Sequence, residues 1–213
     1  MACLQWFNKL SFFWQKFFHI LIVAIIFTSI YSLAGNYYLG TPNKLPVTWI
    51  DSNCPFLLWT FWIYISDYFF LVIAGLITPD YRYFFRFQKA FWAIVSFHIA
   101  IFLICPTSIS RPAITGSDIS SKIGQIIQIV DNTTNCFPSL HVSLTFLAAF
   151  IVIKISKILW IPSMFWAIAI AISTLTTKQH YFYDVIGGTL ISVIFFTIFF
   201  RDLDKKINSD KAK

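Results

Sequence analysis

Six runs of mostly apolar residues follow one another along this chain, each close to the ~20 residues that a helix needs to cross a bilayer. They fall at about 17–36, 56–78, 89–106, 138–155, 158–177 and 183–200. The first is nearly all apolar from His19 to Leu33, Pro106 stops the third, and Arg201 with Asp202 stops the sixth. Composition points the same way. Of 213 residues, 58% are hydrophobic and 12% are charged, against roughly 25% charged in a soluble domain. A soluble fold of this length could not hide 25 Phe and 8 Trp, because interior volume is limited. The expected fold is all-α: a polytopic membrane protein with six transmembrane helices in one bundle. No Gly/Ser/Pro-rich linker divides the chain, so residues 1–213 read as a single membrane-embedded domain.

Two further helices are expected at the membrane surfaces. Trp6, Phe7, Leu10, Phe13, Trp14 and Phe17 recur at near-helical spacing with Lys9 and Lys16 among them, the pattern of an interfacial helix. A longer first spanning helix is the alternative. Ile119, Ile123, Ile126, Ile127 and Val130 recur at three- and four-residue steps inside a polar loop, which predicts an amphipathic helix on the opposite surface. The first run is longer than the ~7–15-residue apolar core of a secretory signal, so it reads as a span. Trp49, Trp59 and Trp160 sit near span ends, as interfacial aromatics do.

Six spans put both termini on one side, and the basic residues say which. Lys9, Lys16, Arg82, Arg86, Lys89, Lys154, Lys157, Arg201, Lys205, Lys206, Lys211 and Lys213 fall on the terminal side. Only Lys44, Arg111, Lys122 and Lys178 fall on the other. Cytoplasmic loops carry the Lys/Arg excess, so both termini are expected in the cytoplasm, with the loops at about 37–55, 107–137 and 178–182 outside. The same scatter argues against nucleic acid as the partner of the +7 charge, because the cations form no single stripe. No C-x-x-C pair occurs among the four cysteines, so neither a zinc nor a thioredoxin-type site is expected. Cys54 and Cys136 both lie on the outer side; two free thiols are expected, with a disulfide as the alternative.

Most of the polar residues that need a reason lie in two outward segments. One holds Arg111-Pro112 and, further on, Pro138-Ser139-Leu140-His141; the other runs from Thr176 through Lys178 and His180 to Asp184. His180 and Asp184 are four residues apart, so on a helical turn they share a face. The carboxylate could then hold the imidazole in one tautomer, which is nucleophile-and-orienter logic. His141 could supply the acid. Arg111, Lys178 and Ser139 could clamp an oxyanion, with the N–H groups at the start of the fourth span.

At these residues the sequence resembles the type 2 phosphatidic acid phosphatase superfamily, whose signature is K-x6-R-P, then P-S-G-H, then S-R-x5-H-x3-D. Arg111-Pro112, Pro138-Ser139 with His141, and His180 with Asp184 match, in order and on one side. The resemblance implies hydrolysis of a phosphate ester on a membrane lipid, with no metal or cofactor. His180 would attack phosphorus and form a phosphohistidine, Asp184 would orient it, and His141 would protonate the leaving oxygen. Arg111 and Ser139 would bind phosphate oxygens. Three positions depart from the signature. Ile104 stands where its lysine would fall, Thr174 where its arginine would fall, and Leu140 replaces its glycine. Lys178 is a candidate replacement for one lost cation. A similar thinning of cations occurs in the branch that resembles inositol phosphorylceramide and sphingomyelin synthases, which pass a phosphoryl headgroup to an alcohol. Transfer is therefore the alternative within enzymes.

Asp67 and His98 sit mid-span in the second and third runs. Ionisable groups inside a membrane usually pair, so these two are expected to meet, in a packing role. A non-catalytic carrier or scaffold that kept the fold is the reading from a different class. The trio His180, Asp184 and His141 argues against it, since packing alone does not demand those side chains. The sidedness has a direct check. An alkaline phosphatase reporter fused after Lys213 is expected to be inactive, and strong external activity would overturn the six-span layout.

Overall fold

The computed structural model describes residues 10–131 and 133–203, and only the backbone of Asn36. Lys9, Lys205, Lys206, Lys211 and Lys213, and residues 4–9 of the expected N-terminal surface helix, lie outside the described residues. The helices are α1 (Phe12–Asn36), α2 (Trp49–Asn53), α3 (Phe61–Leu76, entered through a 3-10 turn at Leu58–Thr60), α4 (Tyr81–Ile104), α5 (Ile119–Val130), α6 (Leu140–Ile155), α7 (Trp160–Thr176) and α8 (Phe182–Phe200). Two-residue strands β1 (Asn43–Lys44) and β2 (Thr107–Ser108) pair in parallel.

Four helical segments are long and apolar enough to cross a membrane: Phe12–Gly35, Leu58–Leu76, Tyr81–Ile104 and Phe182–Phe200. α6 and α7 are apolar but shorter, at 16 and 17 residues. Pro138 and Ser139 do not join α6, because the Ser139 hydroxyl caps it by accepting from Val142 N–H, an ordinary N-cap. α4 begins at Tyr81 rather than near 89, since Asp80 caps it by accepting from the backbone N–H groups of Arg82 and Tyr83. The polar look of 82–89 had hidden that first turn.

The helices α1, α3, α4, α6, α7 and α8 run alternately between two ends. At one end Lys16 donates to the carbonyls of Leu76 and Thr78, Tyr81 donates to Gln15, and Arg86 donates to Phe199 O at 2.6 Å. At the other end the three connections assigned to one side by their cation poverty meet. β1 pairs with β2, Thr107 bridges to Asn135, and Lys178 donates to the carbonyls of Asp51 and Cys54. Buried Asp51 also accepts from Phe182 N–H at 2.8 Å, which suits a carboxylate at the start of α8. α5 packs at this end through Ser121 and Gly124 and leaves Ile119, Ile126 and Ile129 exposed. Cys54, Cys105 and Cys136 are free thiols. Burial pushes the Cys136 thiol up to about 12, so it stays protonated and unreactive.

α6 is the hub. It packs against α3, α4, α7 and α8, and Leu144, Leu147, Ala148, Ile151 and Val152 are all buried along it. A helix that is apolar on every side belongs in a core. α1 is just as apolar but is largely exposed, as a helix facing lipid would be. α6 and α8 approach most closely at Gly188. A Cβ there would collide with the Ser139 carbonyl oxygen and sit 3.2 Å from Val142 Cβ. At Gly75, by contrast, a Cβ meets only the tip of Ile20 inside 3 Å, which can turn aside. Gly188→Ala should therefore cost about 1–3 kcal/mol by overpacking and visibly lower the thermal midpoint in detergent, while Gly75→Ala should not. Equal midpoints for the two variants would show that the α6–α8 contact is looser than described.

Candidate active site

α7 ends in a sharp reversal that presents His180. Lys178 adopts φ 55°, the left-handed turn that commonly ends a helix. The Thr174 carbonyl then accepts from the backbone N–H groups of Gln179 and His180. α8 starts two residues later. Asp184, fully buried in its first turn, brings Oδ2 within 3.3 Å of His180 Nδ1 and accepts from Tyr181 N–H at 2.8 Å. The carboxylate is thereby fixed, and it engages the Nδ1 edge of the imidazole. His180 itself is 5% exposed and lines a cavity.

His141 stands in the first turn of α6, facing α3. Its ring stacks on Tyr64, with centroids 4.1 Å apart and planes 5° from parallel. Its Nδ1 lies 3.6 Å from Asp67 Oδ2, and its Nε2 is buried with no partner among the described residues. Asp67 Oδ1 accepts from the Thr145 hydroxyl at 2.6 Å. Asp67 therefore pairs with His141 and not, as expected, with His98. His98 instead engages Ile94 O through Nδ1 and the Ser143 hydroxyl through Nε2, at 2.8 and 3.1 Å. The reason is packing: α6 contacts both α3 and α4 and stands between the two residues.

Both histidines line one cavity of about 230 Å³. Asp67 and Asp131 line its polar end, and Val23, Phe27, Leu71 and Phe91 line its apolar part between α1, α3 and α4. Among the described residues, no Lys or Arg lines it. Gln88 also lines it, buried, with an Oε1 that finds no partner among the described residues.

The expected phosphate clamps are placed less directly. The guanidinium of Arg111 donates to Asp131 O at 2.6 Å and lies 3.6 Å from the Asp131 carboxylate. That carboxylate accepts from Tyr31 and Tyr64 at 2.8 and 3.1 Å. Asp131 thus stands between Arg111 and the cavity wall, in a role that nothing in its loop sequence announced. The Ser139 hydroxyl is committed to capping α6, and Ser139 N–H donates to Asp184 O at 3.0 Å. The Lys178 ammonium is held by two loop carbonyls rather than turned to the cavity. At the two positions where the signature's cations are missing, Ile104 is exposed and the Thr174 hydroxyl bonds back to Ala171 O. The structure therefore brings together His180, Asp184 and His141, adds Asp67, Tyr64 and Asp131, and ties Arg111 and Lys178 to other partners.

No curated protein matches the chain, and no solved structure does. A family model, described as the PAP2 superfamily, matches residues 17–208. That span runs from within α1 past the end of α8 and includes both histidines of the cavity, and the chain belongs to the PAP2 superfamily.

Proposed function

We propose that this protein is a membrane enzyme that cleaves a phosphate monoester or diphosphate on a lipid, at the extracytoplasmic face, through a phosphohistidine on His180. Superfamily members are phosphatases or related phosphotransferases that act on phosphate esters. One observation carries the reading: two imidazoles, each with a carboxylate beside Nδ1, line the polar end of one otherwise apolar cavity. A lipid can enter sideways between α1 and α3, its tail along the apolar wall and its phosphate at the histidines. All six long helices cross the bilayer in this reading, with α6 shielded from lipid by its neighbours. Both termini are cytoplasmic, and the membrane is the cell inner or plasma membrane.

The steps balance as follows. His180 Nε2 donates its lone pair to phosphorus while the bond from phosphorus to the lipid oxygen breaks. His141 Nε2–H gives its proton to that leaving oxygen. Asp184 holds the ring of His180 and balances the positive charge it gains. Water then attacks phosphorus, loses its proton to His141 Nε2, and displaces His180. Positioning and charge stabilisation supply most of the catalysis in such transfers. Arg111 takes phosphate oxygens by exchanging the Asp131 carboxylate for them, and the Ser139 hydroxyl, whose oxygen caps α6, donates its hydrogen to another. Lys178 closes the outer loop over the site.

A second reading is favoured by the lining itself. Two carboxylates and no Lys or Arg face the cavity, a poor match to a dianionic monoester and a better one to a phosphodiester headgroup. Transfer of that headgroup to an alcohol acceptor follows the same chemistry, with the alcohol in place of water.

Purified protein in nanodiscs, offered phosphorylated lipids with and without an acceptor alcohol, tests both. Phosphate released with water alone supports hydrolysis, and product formed only with the acceptor supports transfer. His180→Ala is expected to remove at least ~10³-fold of either activity, and Arg111→Ala to raise KM more than it lowers kcat. Full activity in His180→Ala would sink the phosphohistidine reading. An inert protein, with His180→Ala behaving like the parent in cells, would leave a non-catalytic membrane protein.

A further inference from the structure

We infer that Asp67 is a positioning residue for proton transfer, acting through His141. The inference rests on the phosphoryl-transfer reading above and extends it to a residue outside the superfamily signature matched here. Four observations converge. Asp67 is 2% exposed in the middle of α3, among apolar side chains. A carboxylate there is costly unless a partner or a function repays it. Its Oδ2 faces His141 Nδ1 at 3.6 Å, while its Oδ1 is fixed by the Thr145 hydroxyl at 2.6 Å. The His141 ring is locked in plane by its stack on Tyr64. Both Asp67 and His141 line the same cavity as His180.

A packing role accounts for only part of this. The bond from Thr145 ties α6 to α3, and an asparagine oxygen could accept it equally well. What asparagine cannot do is place a negative charge beside Nδ1. That charge favours the tautomer with a proton on Nδ1, and it stabilises the ring when Nε2 carries a second proton. As the lipid oxygen leaves phosphorus, the Nε2 proton moves to it and the ring returns to neutral, with Nδ1–H still facing Asp67. When the acceptor attacks, its proton moves to Nε2 and the pair is restored. The 3.6 Å separation is an ion-pair distance rather than a hydrogen bond, and such catalytic contacts commonly tighten once substrate is bound. Asp67 thus stands to His141 as Asp184 stands to His180.

The test exploits leaving groups. Dodecyl phosphate releases an alkoxide that cannot depart without a proton, whereas para-nitrophenyl phosphate releases a phenolate that can. The full chain in nanodiscs is assayed on both, as the parent and as Asp67→Asn, Thr145→Val and His180→Ala. Asp67→Asn is expected to lower kcat on dodecyl phosphate by ~10²-fold, with KM little changed, and to lower it on the nitrophenyl ester by less than about threefold. Thr145→Val keeps the carboxylate but frees it, so it should show the same pattern more weakly and guards against a folding defect in Asp67→Asn. His180→Ala should be inactive on both esters. Equal losses on the two esters in both Asp67→Asn and Thr145→Val, or no loss in either, would overturn the role of Asp67 while leaving His180 in place. If the parent cleaves neither ester, or His180→Ala cleaves both, the phosphate-monoester hydrolysis reading falls and this inference with it.

Discussion

The close approach of α6 and α8 is the contact on which the site depends. Gly188 lets the two backbones meet at Ser139, and polar groups then tie the crossing from both sides. Ser139 N–H donates to Asp184 O, and the Ser143 hydroxyl lies within hydrogen-bond reach of the Gly188 and Ser139 carbonyls, at 2.8 and 3.0 Å. In a bilayer such bonds have no water to compete with, although polar contacts between membrane helices are worth only ~1 kcal/mol each. Close van der Waals packing, which a glycine permits, does the rest. The crossing lies in the first turn of α6 and close to that of α8. His141 and Asp184 therefore enter the same small volume from two helices, and His180 follows because the α7–α8 turn is too short to carry it elsewhere.

Much of this was legible in the sequence because the relevant units are local. An apolar run long enough to span is a unit by itself, and the i, i+4 spacing of His180 and Asp184 is a statement about one turn. The burden of cations on one side foretold which connections would share an end. What was not legible concerns which helices are neighbours. Asp67 and His98 lie on consecutive helices, and consecutive helices are usually adjacent. Here α6 packs between α3 and α4, so Asp67 finds His141 and Thr145, and His98 finds Ser143. Asp131 was hidden for a different reason. It lies in the polar stretch Asp131-Asn132-Thr133-Thr134-Asn135, which looks like any solvated loop. Its partners Arg111, Tyr31 and Tyr64 are far away in sequence. Lys178 and Ser139 were expected as clamps from their place in the outward segments; the sequence did not announce that the Lys178 ammonium also holds a loop and the Ser139 oxygen also caps a helix.

The electrostatics of the cavity follow from its largely apolar lining. An unpaired charge is expensive in a low dielectric, so the charged groups near the histidines are balanced before any substrate arrives. Asp184 has His180, Asp67 has His141, Asp131 has Arg111 and two tyrosines, and Lys178 has two carbonyls. A phosphate entering this site meets no bare cation. It can gain Arg111 only by taking the place of the Asp131 carboxylate, so its binding free energy is a difference between two anions at one guanidinium. A second negative charge on the phosphate would find no further cation on the cavity wall and would face Asp67 at close range. The balance therefore disfavours a dianion relative to a monoanion, whatever the tail contributes. A family site with a full set of cations has the opposite bias. Ile104 and Thr174, which stand where the family signature has its cations, go the same way as the Asp131–Arg111 pair: under the reaction proposed above, the favoured ester is one whose oxygens can replace one carboxylate and need nothing more.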